Sequence, residues 1–426
     1  MGKKIESFIY AGTINVPSSK SYLQRAIAIT ALADGASKII GSPLSDDVKV
    51  AIEIVRVFGA SVEVGEDQLS VSPIGQVSAD SVDLYCGEAG LSSRMFSPIA
   101  AVLFNEVTVR GSGSILTRPM GMVIDALEQL GAKVTSNDGC LPIHISGGIV
   151  PGVLHIDGAE SSQLLTGLLI ALPLLPGDSE IHVSNLSSRP YIQMTLNVLD
   201  YFGIEVQHDG FEIFHIRGNQ TPSAGTYTVE GDWSGASFHA VGAAISGAVN
   251  LMGVSVDSAQ ADVRILEAVR RAGAKVEKIQ GGVKVSKNQL RAFEFDASDC
   301  PDLFPPLAAL ACCCEGSSKL IGTERLVYKE SNRAESIQSE LKKLGIQVVL
   351  EANTMEIKGG NIFGGEVSSN DDHRIAMMAA ILASVSDQPI SIQKPMAVNK
   401  SYPSFYDDLE QITPKRFIFK NESYDN

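Results

Sequence analysis

A short pattern recurs along this chain at an almost constant period: a helix-like stretch, an apolar residue, Gly, a small or β-branched residue, any residue, then Val. It reads Phe58-Gly59-Ala60-Ser61-Val62, Leu130-Gly131-Ala132-Lys133-Val134, Phe202-Gly203-Ile204-Glu205-Val206, Ala272-Gly273-Ala274-Lys275-Val276 and Leu344-Gly345-Ile346-Gln347-Val348. Successive glycines Gly59, Gly131, Gly203, Gly273 and Gly345 stand 72, 72, 70 and 72 residues apart. Glycine just past a periodic helix is a stop signal, because it takes the left-handed conformation that closes the last turn. Repetition on this scale governs every other fold assignment. The chain is five copies of one unit, with a sixth expected around a helix from Tyr406 to Ile412 and a glycine position near residue 417. If the N-terminus supplies the rest of that copy, residues 1–17 belong structurally with the C-terminal half.

Each unit holds two helices separated by strand-like runs. The second helix carries the glycine stop and is expected over Pro119 to Leu130, Pro190 to Phe202, Asp262 to Ala272 and Ser331 to Leu344. Runs such as Glu106-Val107-Thr108-Val109 and Glu180-Ile181-His182-Val183 alternate polar and apolar residues, as half-buried strands do. Strands alternating with helices at this density predict an α/β (α+β) fold, not a helical solenoid.

Polar and Gly-rich residues gather where the first helix of each unit opens. The starts read Pro17-Ser18-Ser19-Lys20-Ser21, Cys86-Gly87-Glu88-Ala89-Gly90, Asp157-Gly158-Ala159-Glu160-Ser161-Ser162-Gln163 and Glu230-Gly231-Asp232-Trp233-Ser234. Later copies read Asp299-Cys300-Pro301-Asp302 and Asn370-Asp371-Asp372-His373-Arg374. Helix N-termini offer unpaired N–H groups and the positive end of the dipole, an anion site in waiting. Ser and Asp at such places are ordinary caps. Basic residues are not, so Lys20, Arg25, Arg94, Arg118, Arg333 and Arg374 call for an anionic ligand.

That reading must survive a formal charge of −15 over 426 residues. The excess of acid argues against a nucleic-acid binder, which needs a basic face to release counterions. A local cationic cleft is compatible with it, since charges beyond ~8–10 Å are largely screened. The longest apolar run, Leu164 to Leu175, is short of the ~20 residues of a membrane span. Met1-Gly2-Lys3-Lys4-Ile5-Glu6 lacks the apolar core of a signal peptide. The six cysteines, Cys86, Cys140, Cys300, Cys312, Cys313 and Cys314, form no C-x-x-C pair and read as small core residues. The expectation is a reduced, cytoplasmic, metal-free protein acting on small anionic molecules, with no nucleic-acid or membrane partner.

Several motifs stand together in a fixed order: Ser19-Lys20-Ser21-x-x-x-Arg25, Gly87-x-Ala89-Gly90-x-x-x-Arg94, Arg118-Pro119, Ser161-Ser162-Gln163 and Ser188-x-Pro190-Tyr191. They continue as Pro301-Asp302, Lys329-Glu330-Ser331-x-Arg333, Asn370-Asp371-Asp372-His373-Arg374-x-Ala376-Met377 and Lys400-Ser401-Tyr402-Pro403. From about Ile14 to Ile412 the chain resembles the 5-enolpyruvylshikimate-3-phosphate synthases, a family of enolpyruvyl transferases. The resemblance implies a two-lobed fold of six βαβαββ repeats, three per lobe around a pseudo-threefold axis, with the active site between the lobes. It implies one lobe over residues 18–230 and a second over 231–426 completed by 1–17. It further implies transfer of the carboxyvinyl group of phosphoenolpyruvate to the 5-hydroxyl of shikimate 3-phosphate by addition and elimination, with no cofactor, in a monomer.

Residue by residue, the resemblance makes Lys20, Gly90, Arg118, Gln163, Arg333, Arg374 and Lys400 the phosphoenolpyruvate contacts. It makes Lys20, Ser21, Arg25, Ser161, Ser162, Gln163, Ser188, Tyr191, Asp302 and Lys329 the shikimate-phosphate contacts. Glu330 matches the family's acid and Asp302 its base, with Lys20 shared by both ligands. Arg suits bidentate contact with phosphates and carboxylates, and Gly90 lets a ligand approach the backbone. His373 is read as a site residue, Arg94 equally as a ligand contact or a fold-supporting ion pair, and Trp233 as packing at the crossover.

The chain departs from the family at Glu88 (usually Asn), Leu91 (usually Thr), Met95 (commonly Pro), Arg325 (for Asn) and Asn332 (for Asp). A carboxylate at Glu88 repels an anion unless it turns away or pairs with a neighbouring Arg. On that basis Glu88→Asn is expected to lower the apparent KM for phosphoenolpyruvate, and an unchanged value would show Glu88 directed elsewhere. Two alternatives remain at this level. A UDP-N-acetylglucosamine 1-carboxyvinyltransferase shares the fold but carries a reactive Cys before the residue matched by Arg118, and Gly111 to Thr117 holds none. A degenerate ligand-binding homologue would keep the fold without turnover; Lys20, Asp302, Glu330 and Lys400 argue against it.

Overall fold

The computed structural model describes residues 2–41, 44–159, 161–413 and 421–422. Among these, the strands form six four-stranded sheets, all with one topology. The sheet around Glu106–Arg110 shows the pattern. Ser81–Tyr85 lies parallel to Glu106–Arg110, with Val82 opposite Val107. Glu106–Arg110 runs antiparallel to Cys140–Ser146, which closes a hairpin with Lys133–Asn137. A parallel pair needs a crossover, and the helix Gly90–Leu103 provides it. The helix Gly121–Gln129 then leads into the hairpin, giving βαβαββ.

The repeats are shared between two compact units. One comprises Met1–Ser19 with Glu230–Asn426, the other Lys20–Val229. Two N-terminal strands belong to the first unit. Ala11–Asn15 pairs in parallel with Ala248–Met252. Gly2–Ile5 pairs antiparallel with Ile390–Gln393 and with Asn421–Glu422, so Lys3 stands opposite Ile392. In the second unit, Thr226–Thr228 lies parallel to Ser37–Ile40 and completes that repeat from its far end.

The five repeat glycines all have positive φ: 107° at Gly59, 98° at Gly131, 79° at Gly203, 109° at Gly273 and 88° at Gly345. A side chain there would meet its own backbone, which is why glycine recurs. The sixth helix runs Phe405–Gln411, and the glycine position expected near 417 lies outside the described residues. Helix bounds shift slightly from the sequence expectation. The helix placed at Pro119 begins at Gly121, because Arg118 is extended (φ −86°, ψ 134°), as a residue before proline prefers. Asp262 lies in a 3₁₀ turn, Ala261–Arg264, ahead of the helix Ile265–Ala272. The other second helices run Arg189–Tyr201 and Arg333–Lys343.

Packing within each unit is close. A Cβ on Gly167 would lie 2.5 Å from the Met95 carbonyl oxygen, so the helices Gly90–Leu103 and Gln163–Ala171 meet backbone to backbone. Trp233 is fully buried, and its indole N–H donates to the Ser255 carbonyl at 2.7 Å, a packing role. All six cysteines are free thiols, and burial pushes that of Cys86 up to about 12. No helix among the described residues is long and apolar enough to cross a membrane.

Candidate active site

Four of the singled-out residues are the first residues of helices: Lys20 of Lys20–Ala31, Gly90 of Gly90–Leu103, Gln163 of Gln163–Ala171 and Arg333 of Arg333–Lys343. Arg374 is the second residue of His373–Leu382, and Lys400 ends the 3₁₀ segment Pro395–Lys400. Most of these predicted residues thus stand at or next to a helix start. There the backbone N–H groups and helix dipole add to the positive potential.

In the unit Lys20–Val229, a cationic floor forms around Gly90. A Cβ built on Gly90 would stand 3.0 Å from Arg118 Nη1, 3.2 Å from Arg94 Nη1 and 3.3 Å from Gln163 Oε1. Arg94 donates to Gln163 Oε1 at 2.9 Å and to the Pro119 carbonyl at 3.0 Å, fixing the helix starts to each other. Both contacts tie Arg94 to its own unit, in keeping with a fold-supporting role. Lys20 Nζ makes a 2.8 Å ion pair with Asp47, each side chain being 16% exposed.

Arg25 is buried, and its guanidinium is directed into the fold. It donates to the Ser21 carbonyl at 2.8 Å, Thr195 Oγ1 at 2.9 Å, and Thr166 Oγ1 and the Tyr191 carbonyl at 3.2 Å each. Burial lowers its pKa to about 10, still far above neutrality. It therefore ties Ser21 and Tyr191, two other predicted site residues, into one frame. Ser161 Oγ accepts the Gln163 N–H at 3.1 Å, Ser162 precedes that helix, and Ser188 holds a left-handed turn (φ 58°) before Arg189–Tyr201.

Glu88 turns towards the 3₁₀ segment Gly113–Thr117. Its Oε2 accepts from both the N–H and the hydroxyl of Ser114 at 3.4 Å, and Ser114 Oγ in turn accepts from Arg118 Nη2 at 3.2 Å. The carboxylate thus engages Ser114 of its own unit, one hydroxyl away from Arg118.

The other unit carries a carboxylate–guanidinium cluster. Arg333 is fully buried; Nε donates to Asp372 at 2.8 Å, Nη1 to Asp302 at 2.8 Å and Nη2 to Glu330. Burial opposes its charge, but Asp372, Glu330 and Asp302 outweigh it and its pKa is raised. Asp302 also accepts from Arg374 Nη2 at 2.9 Å and lies 3.5 Å from Lys329 Nζ. Desolvation lowers the Lys329 pKa against the attraction of Asp302. His373 is buried beside Asp372, and Lys400 Nζ donates to the Asp371 carbonyl at 2.8 Å. Asp302 and Glu330, the predicted base and acid, are thus bridged by one arginine.

Three participants were missed at the sequence level. Asp372 was quoted within a motif but given no task; it caps His373–Leu382 through the Arg374 N–H and holds Arg333. Asp47 and Ser114 carried no signal, since a first-turn Asp and a loop Ser are unremarkable until their partners are known.

The family model described as EPSP synthase (3-phosphoshikimate 1-carboxyvinyltransferase) matches residues 9–409. Relatives bearing the name 3-phosphoshikimate 1-carboxyvinyltransferase include that of Clostridium novyi, 35% identical over 414 residues, covering 94% of this chain and 95% of the relative. Another, from Methanocella arvoryzae, is 35% identical over 412 residues, covering 95% and 97%. A solved EPSP synthase from Acinetobacter baumannii superposes with a TM-score of 0.80 at 25% identity, over 97% of this chain and 98% of that one. With a family model matched over nearly its whole length and six sheets of one topology, this chain belongs to the EPSP synthase (3-phosphoshikimate 1-carboxyvinyltransferase) family.

Proposed function

We propose that this chain transfers the carboxyvinyl group of phosphoenolpyruvate to the 5-hydroxyl of shikimate 3-phosphate and releases phosphate. The observation that carries the reading is the pair Asp302 and Glu330, held by the buried Arg333 with Lys329 beside Asp302. Such a pair supplies what the reaction needs: one group to deliver a proton, another to receive one. The substrates bring two phosphates and two carboxylates, which match the cations at the helix starts. The alternative acceptor, a UDP-amino sugar, is not favoured by the family match.

In this mechanism a proton adds to the methylene carbon of phosphoenolpyruvate while the substrate hydroxyl, losing its proton, attacks the adjacent carbon. The tetrahedral intermediate then expels phosphate as the new methyl group gives up a proton, restoring the vinyl ether. Glu330 acts as the acid, Asp302 as the base, and Lys20 serves both ligands. Gly90, Arg118, Gln163, Arg333, Arg374 and Lys400 hold phosphoenolpyruvate. Ser21, Arg25, Ser161, Ser162, Gln163, Ser188, Tyr191, Asp302 and Lys329 hold shikimate 3-phosphate, with Arg25 acting through Ser21 and Tyr191. The enzyme works as a cytoplasmic monomer on these small anions, without nucleic acid, and the two compact units are its two lobes. The test is phosphate release, which must require both substrates together. Binding of both without release would leave a ligand-binding homologue instead.

A further inference from the structure

Glu88 occupies an unusual place for a carboxylate in a site that receives anions. Its carboxyl group fills the space where Gly113 would carry a side chain: a Cβ there would lie 2.4–2.7 Å from the Glu88 carboxyl atoms. Gly113 also has φ +60°, a conformation that favours glycine and leaves that space open to Glu88. With that space taken, Glu88 Oε2 reaches the N–H and hydroxyl of Ser114, the second residue of the 3₁₀ segment Gly113–Thr117. Both contacts are long at 3.4 Å, so each alone is weak.

The hydroxyl gives the contact a direction. A serine Oγ donates one hydrogen and accepts others. Here it accepts from Arg118 Nη2 at 3.2 Å and donates to Glu88, making a relay from Arg118 through Ser114 to Glu88. Arg118 is 6% exposed. While Nη2 is tied to Ser114, Nη1 lies 3.0 Å from the place of a Cβ on Gly90. A simple cap of the 3₁₀ segment would explain the Ser114 N–H contact but not the orientation of a hydroxyl towards a guanidinium.

We propose that Glu88 is a positioning residue for phosphoenolpyruvate: through Ser114 it fixes the Arg118 guanidinium over Gly90. The inference rests on the function proposed above and deepens it. It opposes the expectation that removing this acid lowers KM for phosphoenolpyruvate, because the carboxylate is directed at Ser114 and its benefit arrives through Arg118.

The test uses the full chain and steady-state phosphate release with each substrate varied. Ser114→Ala and Glu88→Ala each raise KM for phosphoenolpyruvate roughly tenfold, the low end for a hydrogen bond to a charged group. KM for shikimate 3-phosphate stays within about twofold of its starting value. The double variant is no worse than either single, since both break one relay. Glu88→Gln, which keeps an acceptor oxygen, restores KM to within about twofold of the parent. Ser114→Ala removes one oxygen, so it keeps the test open if Glu88→Ala fails to fold. The proposal is overturned if KM for phosphoenolpyruvate is unmoved or falls in the single variants. It is equally overturned if their effects multiply in the double, or if both substrates weaken alike. A parent protein that releases no phosphate overturns the functional reading, and this inference with it; an active parent with unmoved variants overturns the inference alone.

Discussion

Asp262 offers a sharp test of the electrostatics in the unit that carries Asp302. It sits in the 3₁₀ turn Ala261–Arg264, 2% exposed, with Oδ2 accepting from the Ser234 hydroxyl and Oδ1 buried without a hydrogen-bond partner. Gln260 fastens this turn to the adjoining helix start, accepting the Trp233 N–H at 3.0 Å and donating to the Gly231 carbonyl at 2.8 Å. Burial pushes the Asp262 carboxyl up to about 7, helped by repulsion from Asp302 and Asp232 and opposed by Arg374 and the Ser234 hydroxyl. Raising a carboxyl makes the folded state hold its proton more tightly than the unfolded chain, whose value is 3.8. The resulting stability is complete below that value and is lost as pH rises through about 7. At ~1.4 kcal/mol per pH unit, the full loss is on the order of 4 kcal/mol.

Asp262→Asn keeps the shape and removes the titration. Urea unfolding followed by Trp233 fluorescence is the assay, because the chain has one tryptophan and it is buried beside Ser234. The stability of the variant minus that of the parent should rise by about 1.4 kcal/mol per unit from pH 5 to about 7, then level off. Taking the difference cancels the titrating groups that do not interact with Asp262. A difference that is flat across this range, or that falls with pH, would refute the assignment of a proton to Asp262.

Two further outcomes follow from the same geometry. Gly167→Ala drives a methyl group to 2.5 Å from the Met95 carbonyl oxygen. It should cost about 1–3 kcal/mol in urea unfolding monitored by circular dichroism, and an unchanged midpoint would mean that the two helices separate freely. Asp302→Asn removes the charge facing Arg333, Arg374 and Lys329, together with the proposed base. Turnover should fall roughly 10²–10⁴-fold. Loss of less than tenfold in phosphate release would move the base elsewhere.

Much of the fold can be read from five glycines, since a positive φ is a local demand that one residue type meets. Helix starts are legible for a similar reason: polar caps and stranded cations are chemical statements about a few adjacent positions. Pairings between distant segments are not. Nothing in Lys3 or Ile392 announces that they stand opposite each other in one sheet. Only the repeat arithmetic hints that the two ends meet. Burial is equally silent: Arg25 reads as a ligand contact by its motif, and only the packed structure shows its guanidinium turned onto Ser21, Tyr191, Thr166 and Thr195.

The same limit explains how a chain with a net charge of −15 presents cations to an anionic substrate. Several of the acids are the means by which the cations are aimed. Asp47 pairs with Lys20, Asp372 and Asp302 grip Arg333, and Glu88 reaches Arg118 through Ser114. A flexible cation in open solvent gives little when it meets a phosphate, because ordering it consumes much of the gain. One already held by a carboxylate has been ordered during folding. A ligand taking Lys20 must then compete with Asp47 at 2.8 Å, so binding there is an exchange of partners. Net charge is silent on such a site; the placement of the acids beside the cations is what reconciles the two.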